Sequence, residues 1–437
     1  MRKTAISCTA TLLAAAMALL WSASAQAAPA ISYRVIHAFC QTISCGDGEL
    51  PAGQALALDP DGNLYGTTPV GGRYGNGTIY QLFPKHGGAR YFKHVLKAFC
   101  QDTPCPTGGA PSSGVIRDTA GNLYGTTPAN SETICGTIYE AVPSGGKTEL
   151  KVLHRFDSSG GDGCDPNFGT LEYQGKDTGQ PYDGTSPLFG AADKGGAYGH
   201  GAIYQLSPPK PGRKAWQETI LYSFCASTGC PDGQAPSSNL VMDASGDLYG
   251  ATLDGKVFEC RPNGGFFICS TIWLTTSGEE YGQLAIKSDG TLIGVAPSGG
   301  PHNGTLYSLT PDGSGGFNYA LLHDFCAGGG SCSDGVVPGT VLIDATGNIF
   351  GVTAGGGANA APSGSPFPGG GVLFEYSSGG TYSVLHNFCS ETNCTDGGTP
   401  DEGLVRDGNG NFFGTTALGG PVDHNPNGLG VAYELSF

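Results

Sequence analysis

The chain is poor in basic residues. Lys and Arg number 21 against 37 Asp and Glu in 437 residues, for a formal net charge of −16. That balance argues against nucleic acid and anionic membrane as partners, because both bind basic patches. Beyond the N-terminus no apolar run is long enough to span a bilayer, and no stretch repeats its hydrophobic residues at a helical period. Enzyme signatures are missing too. There is no Gly-x-Ser-x-Gly, no His-Glu-x-x-His, no phosphate-binding loop and no dinucleotide fingerprint. The last residues, Leu435, Ser436 and Phe437, carry no sorting tail or lipid motif.

What the chain has begins with an export signal. Arg2 and Lys3 precede a small, apolar stretch over 5–20, and the segment ending at Ala27 offers small-residue cleavage sites, with Ala25 as the alternative. These features predict a signal peptide over 1–27 and a mature chain, 28–437, in the periplasm or outside the cell, with no membrane insertion after cleavage. Cysteine usage agrees. Of 15 cysteines, Cys8 belongs to the signal, which leaves an even set. Five pairs recur at nearly constant spacing: Cys40 with Cys45, Cys100 with Cys105, Cys225 with Cys230, Cys326 with Cys332 and Cys389 with Cys394. In an exported chain they predict local disulfides. Structural zinc sites gather close Cys pairs into tetrahedral sets. Here the pairs lie one per repeat, so no metal is expected at them.

The strongest signal is a segment that returns seven times, Asp-x-x-Gly-Asn-Leu-Tyr-Gly-Thr-Thr, at 59–68, 118–127, 243–252, 344–353 and 407–416, with degenerate copies at 183–191 and 289–296. Self-similarity at so long a period marks a repeat architecture. In the first repeat, 54–59 reads as a short strand, 60–62 as a hairpin turn and 63–68 as a second strand rich in β formers. A Gly-rich loop, a third strand at 77–82 and a fourth at 91–99 follow. The 75 Gly and 29 Pro suit a turn-dense all-β chain. Four antiparallel strands per repeat, seven times over, predict a seven-bladed β-propeller. The ends discriminate a closed ring from an open array. Residues 33–39 match a fourth strand and 430–435 a third, so the N-terminal strand is expected to complete the last blade.

Gly-Asn-Leu-Tyr-Gly-Thr-Thr at 62–68, followed by Gly71-Gly72 and by Gly-Thr-Ile-Tyr at 77–80, resembles the GloVer tandem repeat of exported bacterial proteins. Val-Ile-His-Ala-Phe at 35–39 is similar to the related HAF extracellular repeats. The resemblance covers essentially the whole mature chain, with the third and fifth copies the weakest. It implies an exported repeat protein of the kind described as choice-of-anchor, though no anchor follows the repeats here. It transfers no catalytic residue.

In such a ring the loops entering each blade and the loops between second and third strands share one face. That face carries the five cysteine pairs and the Gly-Gly stretches, and is expected to be the working face. Cys135 and Cys164 fall in loops of this face and can bridge, and Cys260 and Cys269 flank a hairpin on the opposite face and can also bridge. Five interblade loops hold an Asp-Gly or Thr-Gly step before a constant proline, at 51, 111, 236, 338 and 400. Asp47, Asp232, Asp334 and Asp396 are candidate ligand-binding residues, as an acidic ring for a cation or sugar hydroxyls. The alternative is that each Asp caps its own turn. No cofactor is expected, apart from a structural calcium ion that such a ring would suit. The Asp59-Pro-Asp-Gly-Asn63 set lacks the distal Glu of a calcium loop and reads as a hairpin turn. His37, His154, His323 and His386 sit one per blade. The irregular segment 157–187, with Asp162, Asp165, Glu172, Asp177 and Asp183 and with Tyr173 and Tyr182, is a further candidate site, with a tolerated insertion as the alternative. The expected function is a secreted, non-catalytic propeller, a monomer that binds an extracellular glycan or protein. A polysaccharide-degrading enzyme and a cell-surface scaffold are the alternatives.

Overall fold

The structure is a computed structural model that describes residues 31–42, 44–51, 56–85, 87–88, 90–102, 105–128, 135–157, 161–167, 169–274, 282–297, 303–400, 403–421 and 428–437. The expected signal peptide, 1–27, lies outside the described residues.

Seven blades succeed one another along the chain, and a small two-stranded sheet joins Gly163–Cys164 to Lys194–Gly195 beside the third. The first blade orders its strands as Ala57–Leu58, Leu64–Thr68, Thr78–Lys85 and Arg90–Ala98, all antiparallel. Five more blades repeat this four-stranded order. The third differs. Leu188–Ala192, Ala202–Ser207 and Gln217–Ser223 form its ladder, and the innermost place is held by Glu172, bridged to Phe189. Seven apolar clusters lie between the blades, each formed by residues of two neighbours. One joins Ile116 and Tyr124 of the second blade to Leu188 and Tyr204 of the third. Another joins Phe413 and Ala432 of the last blade to Leu64 and Tyr80 of the first, so the series closes into a ring. The seal is the N-terminal strand. Ser32–Ala38 pairs antiparallel with Val431–Ser436 as the outermost strand of the last blade. The chain is therefore a seven-bladed β-propeller.

The repeat motif has a packing reason. Gly66 of Leu-Tyr-Gly-Thr-Thr lies opposite Tyr80 of Gly-Thr-Ile-Tyr on the neighbouring strand. A Cβ at Gly66 would come within 2.5 Å of the Tyr80 hydroxyl oxygen. The aromatic ring therefore covers a position that only glycine leaves free, and the pairing recurs through Gly125 with Tyr139 to Gly414 with Tyr433. The Asp of the motif holds its hairpin. Asp59 accepts from the backbone N–H of Asp61 and Asn63, the Asn63 amide and the Tyr65 hydroxyl. Tyr65, Tyr124 and Tyr249 belong to the interblade clusters.

A second recurring device latches blade to blade. The residue before each interblade proline takes a positive φ, as at Leu50, Ala110, Asp165, Ala235, Val337 and Thr399. Its N–H donates to a carbonyl in the preceding blade, for example Thr399 to Gly370 and Leu50 to Leu429. The proline ring then lies against the glycine that opens that blade's third strand. Pro400 covers Gly371, and Pro51 covers Gly430 across the seam of the ring.

Candidate functional site

Seven disulfides are present: Cys40–Cys45, Cys100–Cys105, Cys135–Cys164, Cys225–Cys230, Cys260–Cys269, Cys326–Cys332 and Cys389–Cys394. Five staple interblade loops. These loops meet the second-to-third loop of the blade they enter, as where Gly72 N–H donates to the Cys45 carbonyl.

Each stapled loop that carries the Asp is wrapped around it. Asp47 accepts from Cys40 N–H at 3.0 Å and faces His37 Nε2 at 3.1 Å. Asp232 accepts from Cys225 N–H at 3.0 Å and the Tyr222 hydroxyl at 2.7 Å. Asp334 accepts from Cys326 N–H and faces His323 Nε2 at 3.0 Å. Asp396 is buried and accepts from the Ser390 N–H and hydroxyl and the Glu391 N–H. Burial alone would raise the Asp47 carboxyl, but the His37 hydrogen bond and the Lys93 charge outweigh it and hold it below its ordinary value. The four Asp thus lie on separate blades, each engaged by its own loop, and no hydrogen bond joins any two of them among the described residues. In the third blade Asp162 takes the same place, accepting from the Asp157 and Gly163 N–H. Sequence spacing hid it, because only one of the usual two cysteines, Cys164, is in that loop.

The irregular segment 157–187 divides between the two faces. Residues 157–170 form the interblade loop, and 174–187 form an enlarged connection on the opposite face. This connection ties three blades together. Asp118 of the second blade bridges Tyr182, and Asp177 accepts from the N–H of Met242 in the fourth blade at 2.8 Å. Between the two halves sits Glu172, with no exposed surface and its carboxylate 3.0 Å from Lys176 Nζ. Burial pushes its carboxyl up to about 8 in spite of Lys176. Such a value suits a general acid, but full burial keeps a substrate from reaching it. It has a consequence for stability instead. A carboxyl raised on folding binds its proton more tightly in the native state. Its contribution is fully present below the unfolded value, about 4.3, and is lost as pH rises through about 8. Glu172→Gln is expected to flatten the decline in melting temperature between those pH values. Parallel pH–melting curves for the wild type and the variant would show that this group is not responsible.

An open concavity lies on the turn face, at the seam where the last blade meets the first. It is a cleft of about 750 Å³ lined by Arg34, Asp61, Tyr91, Asp407, Asn409 and Glu434, among others. The elements that close the ring build it. Arg34, on the N-terminal strand, donates to Glu434 through Nε at 3.0 Å and to the Gly88 carbonyl, and its guanidinium lies 5.7 Å from the Tyr91 ring centre. Tyr91 lies 6.2 Å from the buried Phe413, centre to centre, so a half-buried ring lines the cleft over a core one. Burial and the Glu434 charge push the Tyr91 hydroxyl up to about 12, so it stays a neutral donor. Asp407 accepts from the Asn409 and Asn411 N–H and the Asn411 amide. Asp61 is exposed at the rim. Nothing in the local repeat marks this cleft, because its sides come from opposite ends of the chain.

No helix among the described residues is long and apolar enough to cross a membrane. No curated protein matches the chain. An X-ray structure provisionally assigned as a gluconolactonase is similar at 14% sequence identity, over 54% of this chain and 80% of that one, with a TM-score of 0.31. So low a score carries no argument about function. The family model described as the Gloeobacter/Verrucomicrobia repeat matches three overlapping spans, 27–255, 172–362 and 253–436. Those spans take in the whole ring, and the chain belongs to the Gloeobacter/Verrucomicrobia repeat family.

Proposed function

We propose that this protein is a secreted glycan-binding propeller that holds its ligand in the seam cleft without breaking bonds. The composition of the cleft carries this reading. Carboxylate, amide and guanidinium groups surround the half-buried Tyr91 ring in an open depression, and sugars are held by such sets of fixed polar partners beside an aromatic ring. The ligand is placed here rather than on the Asp47, Asp232, Asp334 and Asp396 loops because those carboxylates already serve their own turns. The absence of turnover rests on the cleft's acids. Glu434 is paired with Arg34, and Asp407 is tied to its own turn. Glycoside hydrolysis needs one carboxyl free to give a proton and a second free to attack or activate water. Secretion rests on the seven disulfides together with the N-terminal signal pattern.

The test is a glycan array probed with the mature protein, followed by product analysis on every hit. Retained, uncleaved ligand is expected, and shortened products would replace this reading with the enzyme. A protein-assembly role has one observation in its favour. The outer strand Phe266–Leu274 exposes Phe266, Ile268 and Leu274 at 53%, 55% and 58%.

A further inference from the structure

Several junctions between outer strands share one geometry. A side chain opposite the third strand's Ile79-type position meets a side chain of the next blade opposite its Leu82-type position. At three junctions the second of these is a tyrosine stacked on its partner: Tyr319 on Trp273 at 4.6 Å, Tyr382 on His323 at 3.8 Å and Tyr33 on His386 at 4.0 Å. At three of the four loops that carry the Asp, this residue also donates to that Asp's backbone carbonyl. Tyr33 donates to Asp396, Tyr382 to Asp334 and Lys93 to Asp47.

The junction of the second and third blades breaks the pattern. Glu218, opposite Leu206, occupies the place of the donor. A carboxylate cannot stack like tyrosine, and when ionised it has no proton to give. It faces His154 of the second blade and Asp162 of the loop, and one ligand atom from each lies within 4.8 Å of the others. His154 Nε2 is 3.3 Å from Asp162 Oδ2. Phe156 meets the imidazole edge to face at 4.7 Å and fixes its plane. Glu218 Oε1 is shut off from solvent and has no hydrogen-bond partner. A buried carboxylate oxygen without a donor, beside a second carboxylate, is costly unless a proton or a cation lies between them.

We propose that His154, Asp162 and Glu218 bind a divalent transition-metal ion of the zinc class at the junction of the second and third blades. One imidazole nitrogen and two carboxylates make a three-ligand set with room for water, as zinc accepts. Calcium, which takes oxygen ligands, is disfavoured by the imidazole. The ion would tie together two outer strands and the interblade loop, as the stacked tyrosines do elsewhere. The other close group of metal-binding residue types, His200 with Cys225 and Cys230, has both sulfurs in a disulfide.

The test is calorimetric titration of the metal-stripped mature protein with zinc chloride, with X-ray absorption at the zinc edge. One bound ion is expected, ligated by nitrogen and oxygen alone. Glu218→Gln should weaken it by at least about 10-fold. Glu218→Tyr, which installs the side chain used at three sister junctions, should lose the ion while keeping a folded ring by circular dichroism. Failure of the wild type to take up one equivalent, sulfur in the zinc shell, or either folded variant binding as the wild type does would overturn the proposal.

Discussion

Removal of the N-terminal strand, Ser32–Ala38, is expected to cost the closed fold. The strand makes the outermost ladder of the last blade, pairing Ser32 with Ser436 through Ala38 with Val431. With it go the Tyr33 hydroxyl bond to Asp396, the Arg34 pair with Glu434, and the His37 contact with Asp47. What remains is Val431–Ser436 as a bare edge whose unpaired N–H and C=O groups invite pairing with another chain. Apolar packing at the seam weakens too, because Tyr33 joins the cluster between the sixth and last blades while Ile36 and Phe39 join the one between last and first. The loss is on the order of the whole folding stability of a domain, about 5–15 kcal/mol. A chain beginning at residue 40 should therefore melt without a cooperative transition and aggregate on size exclusion. A synthetic peptide covering 31–39, added in trans, should restore a monomeric peak by strand addition. A truncated chain that melts like the wild type would show that the ring does not depend on this strand.

Gly371→Val is expected to be strongly destabilising, because it breaks the interblade latch. Gly371 has φ 93°, a region closed to β-branched residues. A Cβ there would lie 2.4 Å from the Thr353 carbonyl oxygen and 2.6 Å from Pro400 Cδ. Neither neighbour can yield cheaply, since one is backbone and the other is the ring that docks the last blade. Backbone strain and the clash together should cost about 3–4 kcal/mol. Gly264→Ala separates the two causes. Gly264 also has a positive φ, 61°, but a Cβ there meets nothing within 4 Å. It should lose only about 1 kcal/mol, the backbone cost alone. Denaturant midpoints for both variants measure the difference, and equal losses would show that the glycine serves φ and not the contact between blades.

The division between what sequence reading reached and what it missed follows from the range of the interactions. Leu-Tyr-Gly-Thr-Thr and Gly-Thr-Ile-Tyr mark adjacent strands of one hairpin, so their repetition declares the blades directly. The closing strand was legible because Tyr33 to Phe39 resembles a fourth strand and Gly430 to Leu435 a third. The proline after each interblade loop reads from sequence only as a strand entry. Its second role, covering the glycine of the preceding blade, appears once Pro400 is seen against Gly371. The third blade was the hardest. Its inner strand is reduced to the bridge at Glu172, because the enlarged 174–187 connection reaches to Asp118 on one side and Met242 on the other. Glu218 does not stand out in the sequence for a similar reason. Its meaning lies in the blade before it, with His154 and Asp162, and local pattern carries no trace of that neighbour.

The central claim is that the seam cleft holds the ligand. The most direct measurement is a calorimetric titration of the best glycan from the array into the wild type and into an Asp61→Ala, Asn409→Ala double variant. Both residues line the cleft on exposed turns, and neither side chain bonds the N-terminal closing strand. The account predicts an unchanged melting temperature and a loss of affinity of about 10-fold or more, as two lost polar contacts of about 1 kcal/mol each would give. An unchanged affinity would contradict it and move the site away from the seam.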